Sequence, residues 1–281
     1  MSIFSEAKID CHCHLLDPVG FPYTASTPYR PAGQEISTAA QLHHVMRAHG
    51  VSHALLVQPN SGYGEDNSCM LAAIAANPRR FRGVGVVRHD VSLDELQRLK
   101  QAGVVGVAFN VPFHGLDYYL NTKRLLEKLE QLDMFLQIQV ESDQLLALMP
   151  LLQTSRLRLL IDHCGRPNVA LGLEQPAFHA LLALGRSGRA NVKLSGYIKF
   201  SRQSHPYEDA WPFVRALVEA FTPDACMWGS DWPFLRAPER VDYAPLLTLF
   251  AEMFPHEADR RKILYETPAR LFGFGGDAPT G

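Results

Sequence analysis

Short apolar segments recur along the chain, and each is followed by a segment in which apolar residues repeat with a helical period. The apolar segments are rich in Val, Ile, Leu and Phe and last about five to eight residues, as expected of strands that are buried on both faces. The pattern predicts eight strands: Lys8–His14, His53–Pro59, Phe81–Val87, Val104–Asn110, Phe135–Val140, Leu157–His163, Asn191–Gly196 and Cys226–Asp231.

The segments between these strands carry the signals of capped amphipathic helices. Examples are DNSCMLAAIAANP, SLDELQRLKQAG, NTKRLLEKLEQLD and YEDAWPFVRALVEAF, which begin at residues 66, 92, 121 and 207. Several open with Asp, Ser or Asn, and some close with Gly or Asn–Pro. Eight buried strands alternating with helices predict an α/β protein, a parallel (β/α)8 TIM barrel that takes up residues 1–281 as one domain. An open doubly wound sheet is the alternative, but no strand is followed by its glycine-rich nucleotide turn.

Composition narrows the classes of function. Of the 281 residues 47% are hydrophobic and 20% are charged, and the formal net charge is −2. We therefore expect a large core, no nucleic-acid partner and no membrane association, because both a basic surface and an apolar run of about 20 residues are missing. Five cysteines without a C-x-x-C motif, and an N-terminus without a signal peptide, favour a soluble cytoplasmic protein with reduced thiols. The oligomeric state stays open, with a homodimer as one candidate.

Four polar residues stand at the ends of predicted strands, where barrel enzymes place their active sites. His12 and His14 end the first strand, His163 ends the sixth and Asp231 ends the eighth. Each residue alone is more often an ordinary polar strand end. Together, three imidazoles and one carboxylate from three strands are typical of a catalytic site for one divalent metal ion, with Zn²⁺ as the first candidate.

The first strand ends in the sequence CHCH, residues 11–14. The two-residue period of a strand places the two histidines on one face and Cys11 and Cys13 on the other. If the histidines face the mouth of the barrel, both cysteines should pack beneath the helices as small apolar side chains rather than act as a redox pair.

Polar residues in the loops after the strands are candidates for binding a substrate. Four cations, Arg166, Lys199, Arg202 and Arg236, would suit a carboxylate, although each could equally be a solvated loop residue. The uncharged candidates, which could hydrogen-bond a cyclic or hydroxylated substrate, are Gln58, Ser61, Tyr63, Asn110, His114 and Tyr197. Tyr29 belongs to a long irregular loop, about residues 15–37, that we expect to reach over the mouth.

Six motifs occur in order along nearly the whole chain: DCHCH at 10–14, LVQPNSGYGEDN at 56–67, GVAFN at 106–110, IDHCGRP at 161–167, KLSGY at 193–197 and WGSDWP at 228–233. They resemble the motifs of the amidohydrolase superfamily, in its branch of metal-dependent hydrolases with the TIM-barrel fold. Within that branch the chain is most similar to 2-pyrone-4,6-dicarboxylate lactonases and related sugar- and muconolactone hydrolases. The resemblance implies that the three histidines hold a metal ion or a developing oxyanion, and that Asp231 activates water.

Two departures from the family pattern qualify this resemblance. Members with two metal ions carry a bridging Lys or Glu on the fourth strand and a further His on the fifth, but these strands end here in AFN and QIQ. The resemblance therefore implies at most one metal, and some similar lactonases work without any. The pyrone-dicarboxylate enzymes carry an Arg where this chain has Ala108, so a different substrate is implied.

The resulting hypothesis is a hydrolase, a lactonase that opens a small carboxylated cyclic ester with water activated at the His/His/His/Asp site. No G-x-S-x-G motif offers a serine nucleophile. One alternative is a decarboxylase of a small aromatic or unsaturated acid that uses one metal ion, as in similar barrels of the superfamily. The other is a barrel that binds a ligand without catalysis.

Overall fold

Eight parallel strands form a barrel in the computed structural model, which describes residues 2–275. The strands are β1 Lys8–Cys13, β2 Val51–Val57, β3 Phe81–Gly85, β4 Val104–Asn110, β5 Phe135–Gln139, β6 Leu159–Ile161, β7 Ala190–Leu194 and β8 Cys226–Trp228. Each strand pairs with the next, and two backbone hydrogen bonds join the ends of the ring, from Asp231 N–H to the His12 carbonyl (2.8 Å) and from His14 N–H to the Trp232 carbonyl (2.9 Å). The predicted (β/α)8 barrel is confirmed.

Helices lie between the strands and after the last one. They are α1 Ala39–Ala48, α2 Asn60–Tyr63, α3 Ser68–Ala76, α4 Leu93–Gln101, α5 Val111–His114, α6 Asp117–Leu120, α7 Lys123–Gln131, α8 Gln144–Leu152, α9 Pro176–Arg186, α10 Trp211–Phe221, α11 Tyr243–Met253, α12 Glu257–Arg261 and α13 Thr267–Phe272, with a π-helical turn at Lys262–Glu266. The four predicted examples correspond to α3, α4, α7 and α10. Ser92 caps α4 as expected, since its side chain accepts the Glu95 N–H at 3.1 Å.

Across residues 2–275, no helix has the length and apolar character that a bilayer crossing requires.

A small apolar cluster fills the interior of the barrel below the strand ends. Its members come from six of the eight strands, and they are Ile9, Cys11, Leu55, Val57, Val84, Phe135, Leu160 and Met227, joined by Phe272 and Phe274. Phe135 begins β5, and its ring meets the Phe272 ring edge-on at 5.5 Å, so the C-terminal segment closes the N-terminal end of the barrel. A larger cluster lies between the strands and the helices. The interior cluster gives the polar site above it an apolar base.

The predicted alternation along the CHCH sequence is wrong at Cys11. The pairing of β1 with β2 shifts register between Asp10 and Cys13, and such an irregularity interrupts the two-residue period of a strand. Cys11 therefore packs in the barrel interior, whereas Cys13 packs in the outer cluster as expected. All five cysteines belong to the described part of the chain, and all are buried free thiols.

Strands β6 and β8 end earlier than the sequence pattern predicts. Their last residues are Ile161 and Trp228, so His163 and Asp231 lie in the turns beyond them. Both residues adopt the left-handed backbone conformation, with φ of 50° and 64°. This conformation is costly for residues other than glycine and is concentrated at functional sites, where surrounding contacts hold it in place.

Candidate active site

A cavity of about 540 Å³ opens at the C-terminal ends of the strands, a size suited to a small ligand. Ten of the residues predicted from the sequence line it: His12, His14, Gln58, Ser61, Asn110, His163, Arg166, Lys199, Asp231 and Arg236. The other five lie outside its lining: Tyr29, Tyr63, His114, Tyr197 and Arg202.

These five residues have other contacts. Tyr63 and Tyr197 are buried in the outer core, and the Tyr63 hydroxyl accepts the Asp17 N–H at 2.9 Å. Arg202 is exposed in the loop after β7. The sequence places all three close to strand ends, but packing directs the two tyrosine rings into the outer core, and Arg202 lies on the surface outside the cavity lining.

Tyr29 and His114 lie behind the cavity wall, where each contacts a residue that lines the cavity. The Tyr29 hydroxyl donates to Glu35 Oε2 at 2.6 Å, and its ring lies 5.2 Å from the guanidinium of Arg236, which lines the cavity. His114 Nε2 lies 3.0 Å from Nδ2 of Asn60, another lining residue. The long loop therefore packs beside the mouth, through Arg236.

The three predicted histidines converge on Asp231. The Oδ1 atom of this carboxylate lies 3.7 Å from Nε2 of His12, 3.5 Å from Nε2 of His14 and 3.8 Å from Nε2 of His163. It is buried and has no hydrogen-bond partner. His14 Nδ1 donates to the Val57 carbonyl at 2.8 Å, which leaves an electron pair on its Nε2.

The Nε2 electron pair of His14 and the Oδ1 atom of Asp231, 3.5 Å apart, repel each other unless a cation or a proton lies between them. Ligand atoms of His12, His14 and Asp231 all lie within 4.8 Å of one another. Imidazole nitrogens and a carboxylate are the ordinary ligands of zinc and similar ions, and the unpartnered Oδ1 atom gives the group a free ligand position. The site can therefore hold a metal ion.

Two glycines make room for these histidines. A Cβ atom at Gly196, where φ is 62°, would lie 2.5 Å from Nδ1 of His163, and one at Gly229 would lie 2.8 Å from Cβ of His12. The His163 Nδ1 atom is also held 3.0 Å from Oγ of Ser195. The glycines in the KLSGY and WGSDWP motifs are thus required by the close packing of the site.

A buried polar network beneath the histidines was missed by the sequence analysis. Lys193 Nζ lies 3.0 Å from Asp162 Oδ1 and 3.2 Å from His12 Nδ1, and it also donates to Gln137 Oε1. Gln137 Nε2 donates to Asp162 Oδ2 at 2.7 Å. The side chains of Lys193 and Asp162 are 0% and 2% exposed. The sequence feature that could have revealed the network is Lys193 itself, a charged residue within an apolar strand. Such a charge is tolerated only where a partner is buried with it.

Burial and neighbouring charges set the protonation states of the site. Burial, together with the Lys193 ammonium, lowers the pKa of His12 to about 4, and burial lowers the pKa of His163 well below its usual value. Burial alone would raise the pKa of Asp231, but Lys199, whose Nζ lies 3.0 Å from Oδ2, and His163 hold that pKa well below its usual value. At neutral pH these two imidazoles are neutral and the carboxylate is ionised, as metal ligands must be.

Charge is distributed unevenly around the cavity. Arg166, Lys199 and Arg236 follow β6, β7 and β8. In the other half of the ring the one charged lining residue of the described chain is Glu141, whose Oε2 lies 2.7 Å from Nη2 of Arg166. The remaining side chains that line this half are uncharged: Val57, Gln58, Pro59, Asn60, Ser61, Ala108, Phe109, Asn110, Pro112, Phe113, Gln137 and Gln139.

Comparisons with known proteins agree with the motifs. The 4-sulfomuconolactone hydrolase of Hydrogenophaga intermedia is 35% identical over 276 residues, which cover 94% of this chain and 88% of that protein. The 2-pyrone-4,6-dicarboxylate hydrolase of Comamonas testosteroni is 29% identical, with 94% and 89% covered. The crystal structure of a probable 2-pyrone-4,6-dicarboxylic acid hydrolase from Acinetobacter baumannii, with citric acid bound, matches with a TM-score of 0.86 at 27% identity and covers 95% of this chain and 99% of that chain.

The family model described as Amidohydrolase matches residues 9–274. That range includes β2 to β8, all of β1 except Lys8, the converging histidines and Asp231. The predicted resemblance is confirmed, and the protein belongs to the amidohydrolase family.

Proposed function

We propose that this protein is a lactonase that hydrolyses a small cyclic ester bearing a carboxylate. The observation that carries the proposal is the buried, unpartnered Oδ1 atom of Asp231 among three imidazoles at the base of an open cavity. Ester hydrolysis needs a group that takes a proton from water at such a place. The relatives named as hydrolases of sulfomuconolactone and of a pyrone dicarboxylate, which match over nearly the whole chain, support this assignment.

One divalent ion, with Zn²⁺ the first candidate, is the cofactor that the donor set supports. His12, His14, His163 and Asp231 would hold it, since one carboxylate and three imidazoles match the ligands of catalytic zinc. When bound, such an ion polarises an ester carbonyl and lowers the pKa of water.

Asp231 is the general base of the proposed reaction. Its carboxylate is ionised at neutral pH, so it can accept a proton from the water that attacks the ester carbon. After the ring C–O bond breaks, the same carboxyl group returns the proton to the leaving oxygen. The ammonium of Lys199, 3.0 Å from Oδ2, stabilises negative charge that develops beside it.

Arg166 is placed to bind the carboxylate of the substrate. Its side chain is 17% exposed and lines the cavity, and its buried Nε has no hydrogen-bond partner. A guanidinium donates to a carboxylate through two parallel hydrogen bonds, which fixes the orientation of the ring as well as its charge.

We expect the purified protein to open carboxylated lactones and to contain about one divalent ion per chain. Ring opening releases acid, so a pH indicator measures the rate, and elemental analysis measures the metal. Prolonged chelation should lower the rate by ~10-fold or more, and added Zn²⁺ should restore it, because the ion supplies charge stabilisation to the transition state.

Salicylate-like acids serve as the control substrates. Release of CO₂ from them, without ring opening of any lactone, would support the decarboxylase in place of the lactonase. Lactone binding without turnover would support the binding barrel. Full lactonase activity without metal would indicate that the histidines act on the carbonyl directly. Two bound ions per chain would show that the site has a further metal ligand.

Arg166→Met should raise KM for a carboxylated lactone by about 10–100-fold, the loss expected from one hydrogen-bonded charge pair. The KM for the methyl ester of the same lactone should change little, because the ester lacks the charge. Arg202→Met is the matched control, since Arg202 is exposed outside the cavity, and it should change neither value. Equal effects of Arg166→Met on acid and ester would remove carboxylate recognition from this residue.

A further inference from the structure

The uncharged half of the cavity lining contains three side chains that are linked in a row and have no part in the proposed reaction. Asn110 Nδ2 donates to Asn60 Oδ1 at 3.1 Å, and Asn60 Nδ2 lies 3.0 Å from Nε2 of His114. Both asparagines line the cavity and are half-buried, whereas His114 lies behind them. The row therefore connects an imidazole outside the cavity to two amides on its wall.

A backbone group fixes the direction of every hydrogen bond in this row. The Phe113 N–H, in the first turn of α5, donates to Asn110 Oδ1 at 3.3 Å. Because Asn110 uses its oxygen there, its nitrogen faces Asn60, which must present its own oxygen. The Asn60 nitrogen then faces His114. Nε2 of that ring must therefore accept, and the proton of the neutral imidazole must lie on Nδ1.

A protonated His114 does not fit this arrangement. The imidazolium carries a proton on Nε2 and would face the Asn60 nitrogen as one donor against another. Rotation of the Asn60 amide relieves that contact only if the Asn110 amide rotates as well. Asn110 would then turn its nitrogen toward the Phe113 N–H, and the first turn of α5 would lose the hydrogen bond that caps it.

The surroundings of His114 keep it neutral at ordinary pH. Its ring stacks on the Tyr118 ring at 4.5 Å and meets the Tyr119 ring edge-on at 6.0 Å. His89 contacts the same Tyr118 ring at 4.0 Å, and burial together with this second imidazole lowers the pKa of His114. The charged residues nearest to His89 and Tyr118 surround a shallow hollow at the surface, and they are Glu65, Arg88 and Asp90. His114 therefore takes up a proton only in acid.

We infer that His114 is a positioning residue, which in its neutral form orients the amides of Asn60 and Asn110 in the substrate cavity. Through them it keeps the first turn of α5 capped, and that turn carries Pro112 and Phe113, which also line the cavity. Uptake of one proton by His114 would reverse the hydrogen-bonding groups of this wall and release the turn. A substrate that fits the neutral arrangement is therefore bound less tightly in acid. This inference rests on the proposed lactonase function and adds a dependence of substrate binding on pH.

Nuclear magnetic resonance of the free, Zn²⁺-loaded protein tests the row without a substrate. At pH 7.5 the His114 ring should carry its proton on Nδ1, which the nitrogen chemical shifts report. Across the titration of this ring, the hydrogen-exchange protection factor of the Phe113 N–H should fall by about threefold or more, because the cap bond is lost. In His114→Gln the protection factor should change less than twofold over the same pH range, because the glutamine oxygen accepts from Asn60 throughout.

Calorimetry with D-glucaro-1,4-lactone, a soluble lactone with one carboxylate, tests the effect on the cavity. In a Zn²⁺-loaded Asp231→Asn background, which should bind without turnover, the dissociation constant should rise by about threefold or more across the His114 titration. With His114→Gln in the same background the rise should be less than twofold. The two proteins share every other titration, so the difference belongs to this imidazole. His179→Gln is the matched control, because His179 is 53% exposed in a surface pair with Glu174, and it should keep the full rise.

The outcomes distinguish the inference from the proposed function. A His114 proton on Nε2 at pH 7.5, a ring that does not titrate above pH 4.5, or a Phe113 protection factor that does not follow the titration would overturn the inference. So would a loss of affinity in acid that persists in His114→Gln. If the lactone binds at neither pH, the resonance measurements on the free protein decide. Binding that follows the expected pattern, with no ring opening by the wild type, would overturn the lactonase and leave the positioning role of His114 standing.

Discussion

Asp231→Asn is expected to lower kcat for a carboxylated lactone by about 10²–10⁴-fold, the usual contribution of a general base. Asn keeps nearly the same volume and one acceptor oxygen but cannot take a proton from water. Because the lost interaction belongs to the transition state, KM should change far less than kcat. Steady-state kinetics give both constants and circular dichroism checks the fold. Because Asp231 is also a proposed ligand, the protein is loaded with Zn²⁺, and elemental analysis checks that it holds the metal.

Asp224→Asn is the matched control for this experiment. Asp224 is 61% exposed and pairs with Lys262 on the surface, and it precedes β8, whose other end faces the cavity, so this change should leave kcat within about twofold. An Asp231→Asn protein that folds, holds its metal and keeps more than about a tenth of the wild-type kcat would move the base role elsewhere, with His163 as the next candidate.

The barrel and the converging site could be predicted because both depend on patterns that are visible within short segments of the sequence. Eight apolar segments of strand length, separated by helical segments, allow few arrangements other than a ring of parallel strands. The carboxyl ends of those strands share one end of the ring. Polar residues that close the first, sixth and eighth strands must therefore approach one another, whatever the loops between them do.

The direction of individual side chains could not be predicted in the same way. Cys11 faces the barrel interior because β1 changes register against β2, and a register shift is a property of two strands rather than one. Tyr63 and Tyr197 stand near strand ends in the sequence, yet their rings fill the outer core. Both outcomes depend on packing between segments that are far apart in the chain.

The partners of Lys193 could not be predicted either, because they are far from it in the chain. Gln137 lies on β5, His12 on β1 and Asp162 directly after β6, and only the closed ring brings them to one ammonium. This arrangement places a fixed positive charge under His12 and an anion beside it. The charges beneath the histidines thus contribute to the electrostatics of the site. The stability of the barrel should depend on the Lys193–Asp162 ion pair remaining intact.

Lys193→Met should lower the free energy of unfolding by about 3–5 kcal/mol at pH 8, the cost of leaving one member of a buried ion pair without its partner. Asp162 would remain in the barrel interior, where its side chain is 2% exposed. Denaturant-induced unfolding of the metal-loaded proteins measures the difference. Lys123→Met is the control, because Lys123 is 66% exposed in a surface pair with Glu127, and it should change stability by no more than about 0.5 kcal/mol.

The pH dependence of this deficit identifies its cause. Burial alone would raise the pKa of Asp162, but Lys193 holds it well below its usual value, so the wild-type pair contributes its stability above the ordinary aspartate pKa and loses it only in stronger acid. Without the ammonium, burial raises that pKa, and the carboxyl group takes up a proton in the folded state. The deficit of Lys193→Met should therefore shrink as the pH falls from 8 to 5. A deficit of constant size would indicate lost packing of the lysine chain, and one below about 1 kcal/mol would show that the pair does not stabilise the barrel.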